Sequence, residues 1–195
     1  MRIIGGKYKG QRLYTPKGDN TRPTSDQIRE SIFNVLAHGI GIDFKEIIVL
    51  DVFAGSGALG FEAFSRGAKK ITFFEKATPA IESIKINGKK FKENHRFSIC
   101  QTDASFLTAR SHREDPSDLV FLDPPYRKDL ITPTLMTLRQ GDWLKVGAVL
   151  VAEMAIKDMW ERVRAEKAEF RYLDWDPNND SKKRALKEFQ WKVPL

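Results

Sequence analysis

Four carboxylates could carry chemistry in this chain, and each stands at or just past the end of an apolar run. Asp51 follows Ile47-Ile48-Val49-Leu50, and Glu75 follows Ile71-Thr72-Phe73-Phe74. Asp103 comes just after Arg96 to Gln101, and Asp123 follows Leu119-Val120-Phe121-Leu122. Carboxylates so placed can accept hydrogen bonds from hydroxyls and amines, or face a cation. Asp51 leads into Phe53-Ala54-Gly55-Ser56-Gly57-Ala58-Leu59-Gly60, a loop dense in small residues. A helical pattern follows, with Leu59, Ala63 and Phe64 on one face and Gly67 as a stop. Strand, tight turn and helix in this order form the ligand crevice of open α/β sheets, into which the Asp51 carboxylate is expected to point.

Gly55, Gly57 and Gly60 also spell G-x-G-x-x-G, which a nicotinamide or flavin nucleotide could use, or which could be a packing turn alone. Asp51 argues against a pyrophosphate, because a carboxylate four residues before the first glycine repels it. It suits a ligand with positive charge. S-adenosylmethionine has an ammonium and a sulfonium and no phosphate.

The neighbouring elements supply the other groups. Lys70 to Glu75 reads as a second strand, and an acid at that strand's end hydrogen-bonds ribose hydroxyls in nucleotide-binding α/β units; an incidental surface acid is the alternative. Lys76 to Phe91 reads as helix, with Ile81, Ile84 and Lys85 on one face. Lys85, Lys89, Lys90 and Lys92 read as a solvated face rather than a nucleic-acid contact. Asp103 could receive an adenine amino group or cap a helix starting near Ser105. Asp118 to Leu122 is a fourth strand that delivers Asp123-Pro124-Pro125-Tyr126. The two prolines hold the backbone extended, so their carbonyls and the Asp123 carboxylate form a rigid set of acceptors for a planar amino group. Tyr126 offers a face for a base to stack on. A strand-ending turn with a stray aromatic is the plainer reading. Gly147 to Ala152 is a fifth strand, and Ala168 to Trp175 pairs with Leu186 to Val193 as a hairpin closing the sheet.

The N-terminus, Met1 to Pro16, reads as a short β-ribbon punctuated by Gly5-Gly6 and Gly10. Arg2, Lys7, Lys9 and Arg12 on it could grip phosphates, or simply protect an exposed edge. Thr24 and Gln27 have capping-box spacing ahead of a helix with Ile28, Ile32, Val35 and Leu36 as its apolar stripe. Arg22 and Thr24 are polar enough to reach a ligand. The net charge of +7 and pI near 9.5 tilt the partner towards a polyanion. The single cysteine, Cys100, rules out an internal disulfide and reads as a buried small residue. His38, His95 and His112 lack metal-ligand spacing, so no metal is expected. No apolar run approaches membrane-spanning length, and a reducing, cytoplasmic compartment fits.

Asp51 with its glycine loop, Glu75, Asp103 and Asp123-Pro124-Pro125-Tyr126, in this order, resemble the amino-group methyltransferases of class I. Three further stretches, the N-terminal pair of them more specific than the class I signature, are similar to the RsmD family, which methylates a guanine N2 of small-subunit (16S) ribosomal RNA. They are Arg2 to Gly10, Thr21 to Asp26, and Phe53 to Gly60, and the resemblance runs from Met1 to about Glu153. It implies a Rossmann-like α/β fold: a seven-stranded, mostly parallel sheet with an antiparallel last strand, helices on both faces, and a small N-terminal ribbon (1–20) before the methyltransferase domain (21–195). It implies that Asp51, Phe53, Ala54, Gly55, Ser56, Gly57 and Gly60 hold the methionine part of S-adenosylmethionine. Glu75 and Lys76 would hold the ribose, Asp103 and Ala104 would flank the adenine, and Arg22 and Thr24 join the cofactor contacts. Asp123, Pro124, Pro125 and Tyr126 would bind the target base, and Arg2, Lys7, Lys9, Arg12 and Arg22 the RNA. The expected protein is a monomer acting on ribosomal RNA in an assembled or assembling subunit. Lys183-Arg184-Ala185-Leu186 departs from the family in lacking a glycine there. Rival readings are an adenine-N6 methyltransferase on DNA or RNA, a nucleotide-dependent oxidoreductase, and an RNA-binding assembly factor with a vestigial site.

Overall fold

The computed structural model describes residues 1–15, 25–112, 114–125 and 130–152, and the backbone of 172–173 and 186–187. The chain divides into two compact units, Met1–Glu153 and Met154–Leu195. The first holds a five-stranded sheet in the order β3-β2-β1-β4-β5, with every pairing parallel. Its strands are β1 (Ile48–Val52), β2 (Lys70–Glu75), β3 (Phe97–Gln101), β4 (Ser117–Leu122) and β5 (Leu144–Ala152). Helices α1 (Asp26–Asn34), α2 (Ala58–Ser65), α3 (Thr78–Gly88) and α4 (Ile131–Gln140) lie between and before them. In the second unit, β6 (Tyr172–Leu173) and β7 (Leu186–Lys187) pair antiparallel, within the expected hairpin, whose other residues lie outside the described ones. Among the described residues the parallel sheet has five strands, against the seven expected.

The central strands are apolar on both faces, as parallel strands covered by helices must be. Their side chains alternate. Val49, Ile71, Phe73, Leu119 and Phe121 enter one cluster, with Phe61 and Phe64 of α2 and Phe33 of α1. Leu50, Val52, Phe74, Val120 and Leu122 enter the other, with Leu138 of α4 and Trp143. Asp51 shares the parity of Val49, which turns its carboxylate towards α2.

Several local expectations shift. Ser25, one residue after Thr24, caps α1: its Oγ accepts from the Ile28 amide at 3.2 Å. Arg29 and Phe33 are the buried residues of α1, so its inner face is rotated from the expected stripe. On α3, Asn87 and Gly88 complete the inner face with Ile81 and Ile84, while Lys85 is exposed. The helix expected near Ser105 is a single 3-10 turn, Ala104–Phe106. The boundary between residues 20 and 21 lies outside the described residues.

Residues 1–13 form a tight antiparallel ribbon, with a bridge between Arg2 and Arg12 and the Ile3 amide donating to the Gln11 carbonyl at 2.9 Å. It lies along α2, and this explains why all of α2 except Leu59 is buried. Three fully or nearly fully buried polar side chains fasten it. Glu62 accepts from the Ile4 and Gly5 amides, both at 2.8 Å. Ser65 Oγ accepts from the Tyr8 amide at 2.9 Å, and the Ser65 carbonyl accepts from Lys7 at 2.7 Å. Gly6 must be glycine here, since φ is +75° and a Cβ would sit 1.9 Å from that carbonyl. Asn87, on α3, accepts from the Tyr14 amide at 2.6 Å and donates to the Tyr14 and Ser56 carbonyls at 2.9 and 3.1 Å. It joins the ribbon, α3 and the glycine loop through one amide. Asn87→Ala leaves those backbone groups without partners and should lower stability by about 2–3 kcal/mol, read as a reduced midpoint in urea unfolding. An unchanged midpoint contradicts this role.

Candidate active site

The strand order reverses between β1 and β4, and crevices for ligands open at such a switch point, beyond the carboxyl ends of the strands. Asp51 pairs with Phe121 and Val52 with Leu122, so Phe53 and Asp123 leave neighbouring strands side by side. Phe53 has φ +63°, a conformation that costs a non-glycine residue energy. It turns the chain sharply into the glycine loop. Gly55 and Gly57 follow at φ +55° and +78°, and Gly57 is the N-cap of α2. Gly60 serves packing: a Cβ there would meet Phe73 Cε1 at 2.5 Å. Its amide donates to Asp51 Oδ2 at 2.8 Å, tying the end of β1 to the first turn of α2.

Asp51 is only 2% exposed. Burial pushes its carboxyl up to about 8, against the pull of the Gly60 amide, and the negative charges of Asp123 and Glu75 push the same way. The carboxylate is therefore far less open to the crevice than its strand-end position suggests. Glu75 ends β2, and its orientation is set by three backbone amides. Oε2 accepts from Gly55 at 2.8 Å, and Oε1 from Lys76 at 2.8 Å and Ala77 at 2.9 Å. Asp103 caps the turn at Ala104–Phe106 through Oδ1, from the Ser105 amide at 3.0 Å, while Oδ2 receives Lys76 Nζ at 2.9 Å. The Lys76 hydrogen bond, then the Ser105 amide, hold its carboxyl below the usual range. Capping and pairing thus use different oxygens. Ala104 is buried, and its carbonyl accepts from Thr137 at 3.1 Å.

The structure brings Glu75 and Asp123 each within electrostatic reach of Asp51, and Glu75 onto the Gly55 amide of the loop. Pro124 is half-buried and Pro125 exposed. Arg22, Thr24 and Tyr126 lie outside the described residues. Among the described residues no group of His, Cys, Asp and Glu is arranged to hold a metal, and no helix is long and apolar enough to cross a membrane. Cys100 is half-buried, and burial raises its thiol. Sequence reading missed Glu62, Ser65 and Asn87, which steady the loop from behind. A lone acid within the apolar run of α2 was the available signal for Glu62.

The raised Asp51 has a consequence for stability. Between about pH 4 and 8 the unfolded chain releases this proton and the folded chain keeps it, so its contribution is present at low pH and lost as pH rises through that window. Asp51→Asn keeps an acceptor for Gly60 and removes the titration. The wild type should lose stability relative to this variant by up to about 1.4 kcal/mol per pH unit across the window, measured by urea unfolding. Parallel pH profiles contradict the assignment.

The model of one family, described as conserved hypothetical protein 95, matches residues 1–171. Among curated relatives, YlbH of Bacillus subtilis, a candidate rRNA methyltransferase, is 38% identical over 154 residues, covering 78% of this chain and 82% of its own. The ribosomal RNA small subunit methyltransferase D of Escherichia coli K12 is 35% identical over 158 residues, covering 81% of this chain and 76% of its own. The solved structure of yhhF, a candidate methyltransferase from Escherichia coli, is 30% identical with a TM-score of 0.73 and covers 98% of both chains. With likeness running through ribbon, glycine loop and sheet together, the chain belongs to the RsmD family of methyltransferases.

Proposed function

We propose that this chain transfers a methyl group from S-adenosylmethionine to the exocyclic N2 amine of a guanine in small-subunit (16S) ribosomal RNA. The observation that carries the reading is the three-acid arrangement of Asp51, Glu75 and Asp123 at the β1/β4 switch point. It is unfavourable to itself, since each charge raises the cost of ionising Asp51. A cationic ligand relieves that cost, and a pyrophosphate adds to it.

The residues fit the cofactor group by group. Asp51 and the loop Phe53, Ala54, Gly55, Ser56, Gly57, with Gly60 behind it, would hold the methionine part, joined by Arg22 and Thr24. Glu75, already oriented by three amides, retains acceptor capacity for ribose hydroxyls, with Lys76 beside it. Asp103 and Ala104 would flank the adenine. When bound, the cofactor supplies an electrophilic methyl on a positively charged sulfur.

This chain's own contribution is orientation and electrostatics. The amine is a poor nucleophile because its lone pair is delocalised into the ring. Asp123 and the Pro124 carbonyl would accept its hydrogens and turn the lone pair out of the ring plane. Pro125 keeps the backbone extended, and Tyr126 would stack on a base taken out of its helix. Asp123 then carries the proton away as the amine becomes acidic. Arg2, Lys7, Lys9, Arg12 and Arg22 would meet phosphates. The substrate is ribosomal RNA in an assembled or assembling subunit, and the protein works as a monomer in the cytoplasm.

The test is incubation with methyl-labelled S-adenosylmethionine and unmodified 30S subunits, naked 16S RNA or DNA, followed by digestion to nucleosides. Label in N2-methylguanosine is expected, and label in N6-methyladenine would overturn the target. Asp123→Ala should cut transfer by a factor of about 100 or more. Cofactor affinity should stay within a few fold, because the lost attraction of Asp123 for the cation is offset by easier ionisation of Asp51. Full activity in this variant would sink the assignment.

A further inference from the structure

The excess charge of the chain is concentrated in two stretches. Residues 1–15 hold Arg2, Lys7, Lys9 and Arg12 and no acid. Residues 82–96 hold Lys85, Lys89, Lys90, Lys92 and Arg96 against Glu82 and Glu93. Together they carry +7, the formal charge of the whole protein; elsewhere the other 24 Lys and Arg (33 less nine) match 24 Asp and Glu (26 less two).

The fold places these stretches against each other. Lys90 Nζ donates to the Arg12 carbonyl at 2.9 Å, and Asn87 holds Tyr14 from both sides. The Tyr8 ring meets Phe91 edge-on at 4.9 Å, and its hydroxyl donates to Glu93 at 3.2 Å. Lys7, Lys9, Arg12, Lys89, Lys90 and Lys92 are all exposed. Among the described residues, Glu93 is the acid set into the middle of this surface, pairing with Lys7 at 2.8 Å and with Arg96 at 3.0 Å, while Arg2 at its edge pairs with Asp26 at 3.0 Å. The Lys7 hydrogen bond holds its carboxyl below the usual range. Glu82 lies at one margin and pairs with Lys85. Tyr14, 46% exposed, stands where the ribbon meets the glycine loop through Asn87.

We propose that the ribbon and the segment that follows α3, residues 89–96, form one composite docking face for the phosphodiester backbone of the RNA substrate, with Glu93 as its internal counter-ion. This rests on the RNA reading above and extends it to lysines that look, in sequence, like an ordinary solvated helix face. Cations of this face that neutralise phosphates release the counter-ions condensed on the RNA strand, so its contribution is salt-dependent and independent of base identity. Glu93, one negative charge shared between Lys7 and Arg96, lowers the charge of the face by one and limits the grip.

Lys89→Glu/Lys92→Glu tests it, with Arg139→Glu as control, an exposed residue of α4, which packs on the sheet face opposite α2 and the ribbon. Affinity for 30S subunits and 16S RNA is measured by direct binding from about 0.05 to 0.2 M salt, alongside KM for methyl transfer. The double variant should bind RNA at least tenfold more weakly, with a salt slope shallower by about two, and the loss should fall on KM. Glu93→Gln should bind more tightly with a steeper slope. Affinity and KM equal to the control would remove the docking face and leave the methyltransferase reading intact. Lysine-dependent RNA binding without transfer to any substrate would keep the face and remove the catalytic reading. DNA bound as tightly, with the same lysine dependence, would overturn RNA as the partner, and no RNA binding by the wild type would overturn both.

Discussion

The site depends on one buried carboxylate that the fold does not fully satisfy. Asp51 ends a strand with a single described hydrogen bond, to the Gly60 amide, and two further acids act on it across the switch point. A residue selected for stability alone would not sit there: burial without a cation costs free energy, and the raised carboxyl measures that cost. The surrounding elements make the arrangement tolerable. Gly60 brings α2 close enough to donate, because any side chain there would strike Phe73. Glu75 is held by three amides, so it cannot swing away from the loop.

The ribbon extends the same constraint outward. α2 carries the loop at its N-terminus and must be held firmly for the loop to keep its shape. The sheet covers one side of α2 with aromatic packing; Phe61, for example, lies 4.9 Å from Phe73. The ribbon covers the other through Glu62 and Ser65, and Asn87 ties its end to the Ser56 carbonyl. The segment that bears the exposed basic residues is thus part of the scaffold behind the loop. Docking of a polyanion on it, as proposed above, would add a second use to an element that already supports the site.

What could be read from sequence was local. The strands agree to within a residue for β1 to β4, because apolar runs bounded by turns report burial directly. The glycine loop was legible because positive φ leaves a mark in residue type. So was the antiparallel pair late in the chain. The cap of α1 moved from Thr24 to Ser25 because both residues can serve, and only the backbone chooses. Glu62, Asn87 and Arg29 were hidden because their partners are 27 to 73 residues away in sequence. Spacing along one helix cannot show that a polar side chain is buried by another segment. The lysines at and beyond the end of α3 could not be assigned for the same reason: a solvated face and half of a composite surface have the same periodicity.

The central claim is that the acids at the switch point are built to receive a cation. Its most direct test is calorimetric titration of the protein with S-adenosylmethionine at pH 7, in two buffers with different heats of ionisation, and with NAD in parallel. Asp51 is mostly protonated in the free protein at that pH, so binding should expel a proton. The account predicts S-adenosylmethionine binding whose apparent enthalpy differs between buffers by an amount approaching one proton released, with that difference absent in Asp51→Asn. NAD binding without S-adenosylmethionine binding, or S-adenosylmethionine binding with no proton release, would contradict it.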